Sequence, residues 1–171
     1  MSREPAPFEH LLEVLNRHGV HYVVIGAFAA IAQGAPLGAT YDIDFTPSRT
    51  AENLARLSSA LRELDARIRV ADIPEGLAFS HDADFLANVD MLNLTSSDGA
   101  FDLVFTPAAM PDGFEDLAPH AVEIHIGNQV AQAASLSDII RSKEEAGREK
   151  DLRALVVLRQ FVADQDGPGN G

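Results

Sequence analysis

The sequence contains no cysteine. That excludes disulfides, thiolate metal centres and a cysteine nucleophile. Cations are scarce: 13 Lys and Arg stand against 26 Asp and Glu, for a formal net charge of −13. A protein that grips long nucleic acid ordinarily carries a basic patch or a basic excess. Extended nucleic-acid binding is therefore disfavoured, and a small nucleotide or a basic protein partner is easier to accommodate. No apolar run approaches the ~18 residues that a membrane-spanning helix needs. Residues 1–20 lack a basic segment followed by an apolar one, so no secretory leader is expected and a cytoplasmic location is the default. The six histidines show no metal-ligand spacing, and there is no internal repeat. What is present is ordinary for a globular chain: 171 residues, 46% apolar and 23% charged. This length and balance suit one domain with a sizeable core, expected over residues 1–163, followed by a disordered tail over residues 164–171.

The informative stretch runs from Tyr22 to Phe45. Tyr22-Val23-Val24-Ile25 reads as a short buried strand. It stops at Gly26, and the small-residue segment Ala27–Gln33 reads as a helix that starts straight off the strand end. Gly34-Ala35-Pro36-Leu37-Gly38 is a loop. Asp42-Ile43-Asp44-Phe45 then alternates carboxylate and apolar residue. On a strand, residues i and i+2 share a face, so Asp42 and Asp44 project together while Ile43 and Phe45 pack inward. Two carboxylates on one face repel each other and offer hard oxygen ligands suited to Mg²⁺. Backbone N–H groups at a helix start favour anions, and a residue without Cβ lets a phosphate approach closely. A phosphate cradle at Gly26 beside a carboxylate pair outlines metal-assisted phosphoryl or nucleotidyl transfer.

The flanking pattern supplies the frame. Phe8, Leu11, Leu12 and Leu15 mark an amphipathic helix, and Leu54, Leu57, Leu61 and Leu64 mark a covering helix from about Thr50 to Leu64. Arg67–Ala71 reads as a short edge strand, and residues 72–88, broken by Pro74, Gly76 and several acids, resist placement. Met91–Thr95 and Ala100–Phe105 flank an Asp98-Gly99 turn, a strong hairpin signal. In the second of these strands Asp102 sits among apolar residues, where burial is costly unless the acid is paired or holds a metal, so it is a candidate third carboxylate. Two more short strands bracket Gly127-Asn128, and Ser135 with Asp138 forms a capping pattern for a helix that breaks at Gly147 before a last one. Lys143 and Lys150 lie seven apart on a helical face, with Arg148 nearby. Either they supply positive charge to a triphosphate, or the run KEEAGREKD is a solvated charge cluster. Thr40 either bonds phosphate or closes a turn.

Taken together, Gly26-Ala27, Thr40-Tyr41-Asp42-Ile43-Asp44, Asp102 and the segment Lys143–Asp151 resemble the nucleotidyltransferase superfamily with the DNA polymerase β-like fold. Within it the chain is similar to the minimal nucleotidyltransferases, which include abortive-infection toxins of toxin–antitoxin pairs. The resemblance spans about residues 20–160. It implies an α+β (mixed α/β) fold with a central mixed β-sheet flanked by helices and extra helices at the C-terminus. It implies transfer of a nucleoside monophosphate from an NTP, ATP among them, to a hydroxyl of an RNA or tRNA end or of a protein, with an antitoxin as partner. Carried onto this sequence, Asp42, Asp44 and Asp102 are the catalytic residues and the ligands of two Mg²⁺ ions, or of Mn²⁺ in their place. Gly26, Ala27, Thr40, Lys143, Arg148 and Lys150 bind the nucleotide. Two positions depart from the pattern: Ala27 stands where relatives carry Gly or Ser, and Gly38 where many carry Arg. They motivate the alternative, a catalytically inactive member kept as a binding module. A sugar-nucleotide glycosyltransferase built on the same Asp-x-Asp is a third reading, which 171 residues barely allow.

Overall fold

In the computed structural model, which describes residues 3–167, the chain opens with helix α1 (Glu9–Arg17), whose Leu11, Leu12, Val14 and Leu15 are buried along one face. Strand β1 (Tyr22–Ile25) runs directly into helix α2 (Gly26–Ala32). Strand β2 (Asp42–Pro47) follows, two residues longer than the alternation in the sequence suggested, because Thr46 and Pro47 continue its pairing with β1. Helix α3 (Ala51–Glu63) is capped by Thr50, whose hydroxyl accepts a hydrogen bond from the Asn53 N–H. Strands β3 (Arg67–Val70) and β4 (Ile73–Leu77) and the one-turn helix α4 (Ala83–Leu86) come next. The hairpin of β5 (Met91–Ser96) and β6 (Gly99–Val104), the short helix α5 (Phe114–Leu117), strands β7 (Val122–Ile126) and β8 (Gln129–Ala133), and helices α6 (Leu136–Ala146) and α7 (Glu149–Gln165) complete it.

The eight strands form one mixed sheet in the order β4-β3-β5-β6-β2-β1-β8-β7. Parallel pairing joins β2 to β6 and β1 to β8, and the other neighbours are antiparallel. The expected α+β fold is present. One expectation needs correcting: β3 is not an edge strand, because β4 pairs outside it. The Pro74 that obscured β4 in the sequence is tolerated there, since an edge strand has one side that need not donate to a ladder. The final helix also reaches Gln165, past the boundary expected at 163. Residues 168–171 of the expected tail lie outside the described residues.

The core lies against one face of the sheet, where Ile43 and Phe45 of β2 meet Phe101 and Leu103 of β6, all at most 1% exposed. Phe45 sits at its centre and packs edge-on against Tyr22 and Phe101, with ring centroids 5.4 and 6.3 Å away. Asn53, itself buried, ties α3 to the entry of β1. Its side chain accepts the His21 N–H at 2.7 Å and donates to the His21 and Ser48 carbonyls at 3.0 and 2.8 Å. Phe45→Ala is expected to cost about 3–5 kcal/mol. Urea unfolding should show a lower midpoint with an unchanged slope.

Candidate active site on three neighbouring strands

Strand register places the acids. Asp44 of β2 pairs with Asp102 of β6 in the parallel ladder, and Ile25 of β1 pairs with Asp44 on the other side. Residues directly opposite one another share a sheet face, with neighbouring strands about 4.8 Å apart. Asp42 joins the same face two residues earlier. The hydrophobic alternation that buries Ile43, Phe45, Phe101 and Leu103 therefore forces Asp42, Asp44 and Asp102 onto the opposite face. One carboxylate oxygen from each of the three lies within 4.8 Å of the others.

Gly26 borders this cluster. It takes φ of +72°, and a Cβ built there would meet Asp44 Oδ2 at 2.9 Å. A left-handed turn and a close approach thus both demand glycine at the junction of β1 and α2. Thr40 has a definite role: its hydroxyl donates to Asp42 Oδ1 at 3.1 Å, orienting that carboxylate. Asp44 Oδ1 is buried with no hydrogen-bond partner. Burial, then the charges of Asp102 and Asp42, push the Asp44 carboxyl up to about 7, while Lys150 draws it down. A buried oxygen without a partner, inside a hard-oxygen donor set, fits a divalent cation such as Mg²⁺. The geometry thus allows Asp42, Asp44 and Asp102 to hold one.

The acids form the floor of a cavity of about 1090 Å³, which also reaches Gly26, Ala27, Thr40, Lys143, Arg148 and Lys150. The structure thus brings every sequence-nominated residue to one cavity, but not in the expected way. Lys143 and Lys150 do not share a helix: α6 ends at Gly147, in the left-handed conformation at φ 62°, and Lys150 belongs to α7. Lys143 is turned to Asp151, its ammonium 3.6 Å from a carboxylate that is 1% exposed. Arg148 caps α7 and bonds the same Asp151 through Nε at 2.7 Å. Lys150 enters no ion pair among the described residues. Gly38 has open space where a side chain would start, so nothing in the fold excludes the arginine that the sequence resemblance would lead one to expect there. Arg69 was missed from the sequence. It donates to Asp102 Oδ1 at 2.8 Å from β3, a strand separated from β6 by β5. The alternation Arg67-Ile68-Arg69-Val70 marked its face, but only the strand order showed what it reaches.

No protein-family model matches the chain, and comparison with curated proteins finds no match. Solved structures do resemble it. The antibiotic-resistance factor ANT(2'')-Ia aligns with a TM-score of 0.57 at 14% identity, over 91% of this chain and 82% of its own. The lincosamide antibiotic adenylyltransferase LnuA, with lincomycin bound, aligns with a TM-score of 0.56 at 15% identity, over 91% of this chain and 98% of its own. A candidate nucleotidyltransferase from Thermotoga maritima aligns with a TM-score of 0.55 at 15% identity, over 92% of this chain and 91% of its own. The fold is that of the nucleotidyltransferases. The alignments cover at least 91% of the chain, so the likeness is one of overall architecture. Among the described residues, no helix of this nucleotidyltransferase fold is long and apolar enough to cross a membrane.

The electrostatics can be tested without a substrate. Unfolded, the Asp44 carboxyl titrates near 3.8, and folded near 7. The folded state therefore holds the proton longer. Its stability falls as pH rises from about 4 to 7, by up to about 4 kcal/mol, and no further penalty accrues above that. Urea unfolding without divalent cations should show this decline in the wild type and a much flatter profile in Asp44→Asn.

Proposed function

We propose that the protein is a Mg²⁺-dependent nucleotidyltransferase, moving a nucleoside monophosphate from an NTP to an acceptor hydroxyl. The observation that carries this reading is the convergence of Asp42, Asp44 and Asp102 at the mouth of the Gly26 turn. Bound to these carboxylates, Mg²⁺ supplies charge neutralisation to the phosphates and acidity to the acceptor hydroxyl. The chain's own groups do the rest. Gly26 leaves room for phosphate at the start of α2. Thr40 holds Asp42 in place. Lys150, whose charge is felt at Asp44, balances negative charge that develops on the leaving pyrophosphate. Asp102, on the strand farther from Gly26, is set to take the acceptor's proton. The acceptor oxygen forms its bond to the α-phosphorus as the bond to pyrophosphate breaks.

A cavity of about 1090 Å³ has room for a nucleotide and part of an acceptor. The acceptor is an RNA or tRNA end, a protein side chain or a small hydroxylated molecule. The last is the class represented by lincomycin in the LnuA structure. Against long RNA stands the charge balance of 13 cations to 26 acids. A role as the toxin of a toxin–antitoxin pair, with a basic protein as antitoxin, is compatible with the same charge. An alternative reading is a nucleotide-binding module without turnover. It draws on Ala27 and on the commitment of Lys143 and Arg148 to Asp151.

Calorimetry with Mg²⁺ and NTP should show binding by the wild type that Asp42→Ala and Asp44→Ala abolish. Turnover should fall by at least about 10²-fold in the same variants. Equal binding by wild type and variants would remove the metal site, whereas binding without turnover on any acceptor would favour the module. The toxin role predicts growth arrest on expression that disappears with Asp44→Ala.

A further inference from the structure

Among the described residues Arg69 is the one cation in an ion pair with any of the three carboxylates. Its guanidinium is fixed at two points. One nitrogen, Nη1, donates to the backbone carbonyl of Leu94 at 2.8 Å, and Nη2 donates to Asp102 Oδ1 at 2.8 Å. The first bond anchors the planar fork to the sheet itself, so its aim at Asp102 does not depend on Asp102. The pair is partly desolvated, with side chains 35% and 15% exposed. Register explains the reach: Asn93 pairs with Asp102 across β5 and β6, and Ile68 pairs with Leu94 across β3 and β5, so the next residue of β3 faces the carboxylate along one sheet face.

We propose that Arg69 is a positioning residue for Asp102. It engages one oxygen and offsets one of three crowded negative charges. Asp102 is thereby kept beside Asp44 and presents a single oxygen to a cation or to the acceptor's proton. This rests on the nucleotidyl-transfer reading. Two consequences run in opposite directions, which a plain strand cross-link would not produce. Removing the guanidinium frees both Asp102 oxygens and raises the local negative charge, so divalent cations bind the nucleotide-free protein more tightly. The same loss leaves Asp102 without its hold, so the chemical step slows, as for other groups that orient a ligand.

The test uses Arg69→Met and Arg69→Lys, each alone and combined with Asp102→Asn. Electron paramagnetic resonance reads Mn²⁺ binding to the nucleotide-free protein, steady-state kinetics read kcat and KM for NTP, and thermal melting verifies folding. Arg69→Met is expected to tighten Mn²⁺ binding roughly tenfold. It should lower kcat about 10–100-fold while leaving KM for NTP within about threefold. Arg69→Lys, which keeps the charge without the fork, should fall between. In the Asp102→Asn background the effect of Arg69→Met on Mn²⁺ affinity should largely vanish, because the residue acts through that carboxylate. An undiminished effect in that background, unchanged kcat, or a rise in KM alone would overturn the proposal; the last would mean that Arg69 touches the nucleotide. Should the wild type turn over no NTP, the function proposed above fails, while the Mn²⁺ cycle still decides whether Arg69 acts through Asp102.

Discussion

Mutual repulsion among three carboxylates is the constraint around which this protein is arranged. Nothing in the local chain favours it. Asp44 and Asp102 face each other because β2 and β6 pair in parallel with those two residues in register, and the register is held from the opposite side of the sheet. Ile43, Phe45, Phe101 and Leu103 are buried there. A slip of one residue would exchange the faces, burying the acids and exposing the aromatics. Hydrophobic burial thus pins a polar arrangement that would otherwise spread apart. The Thr46 hydroxyl reinforces it, donating to the Val104 carbonyl across the same strand pair at 2.7 Å.

Burial first, and then this repulsion, raises the titration of Asp44, one of whose oxygens is buried without a partner. Groups kept in that condition cost stability, and their persistence is understandable where a ligand relieves them. Arg69 offsets only one member of the set, from the side away from Gly26. The asymmetry separates an end of the acid cluster bordered by Gly26 and Thr40 from one bordered by Asp102, Arg69 and the outer strands. Under the proposed function the first takes the nucleotide and the second the acceptor.

The opposite wall answers a scarcity of cations. The chain has two lysines, Lys143 and Lys150, and both reach this cavity. A continuous helix would have carried them on one face; the break at Gly147 separates them. Lys143 and Arg148 then pin the buried Asp151, locking α6 against α7, and Lys150 is left to act on the acids. One cationic cluster builds the wall and one ammonium is left to act on the carboxylates.

Read alone, the chain settled much of this. Leucine spacing marked α1 and α3, and Ser135 marked the start of α6. The Asp98-Gly99 turn marked the β5–β6 hairpin, and the alternation Asp42-Ile43-Asp44-Phe45 declared which residues would share a face. All of these depend on neighbours within a few residues, where backbone geometry dictates direction. Strand order does not. That β4 lies outside β3, that Asp102 falls opposite Asp44, that Thr40 serves Asp42, that Lys143 turns to Asp151 and that Arg69 reaches across β5 were decided only by tertiary structure. The pairing of Asp102 with Asp44 and the reach of Arg69 join residues more than 30 apart, and no local pattern encodes which strand will lie beside which. The nearer contacts of Thr40 with Asp42 and of Lys143 with Asp151 depend on how the loop before β2 and the helix break at Gly147 turn those side chains.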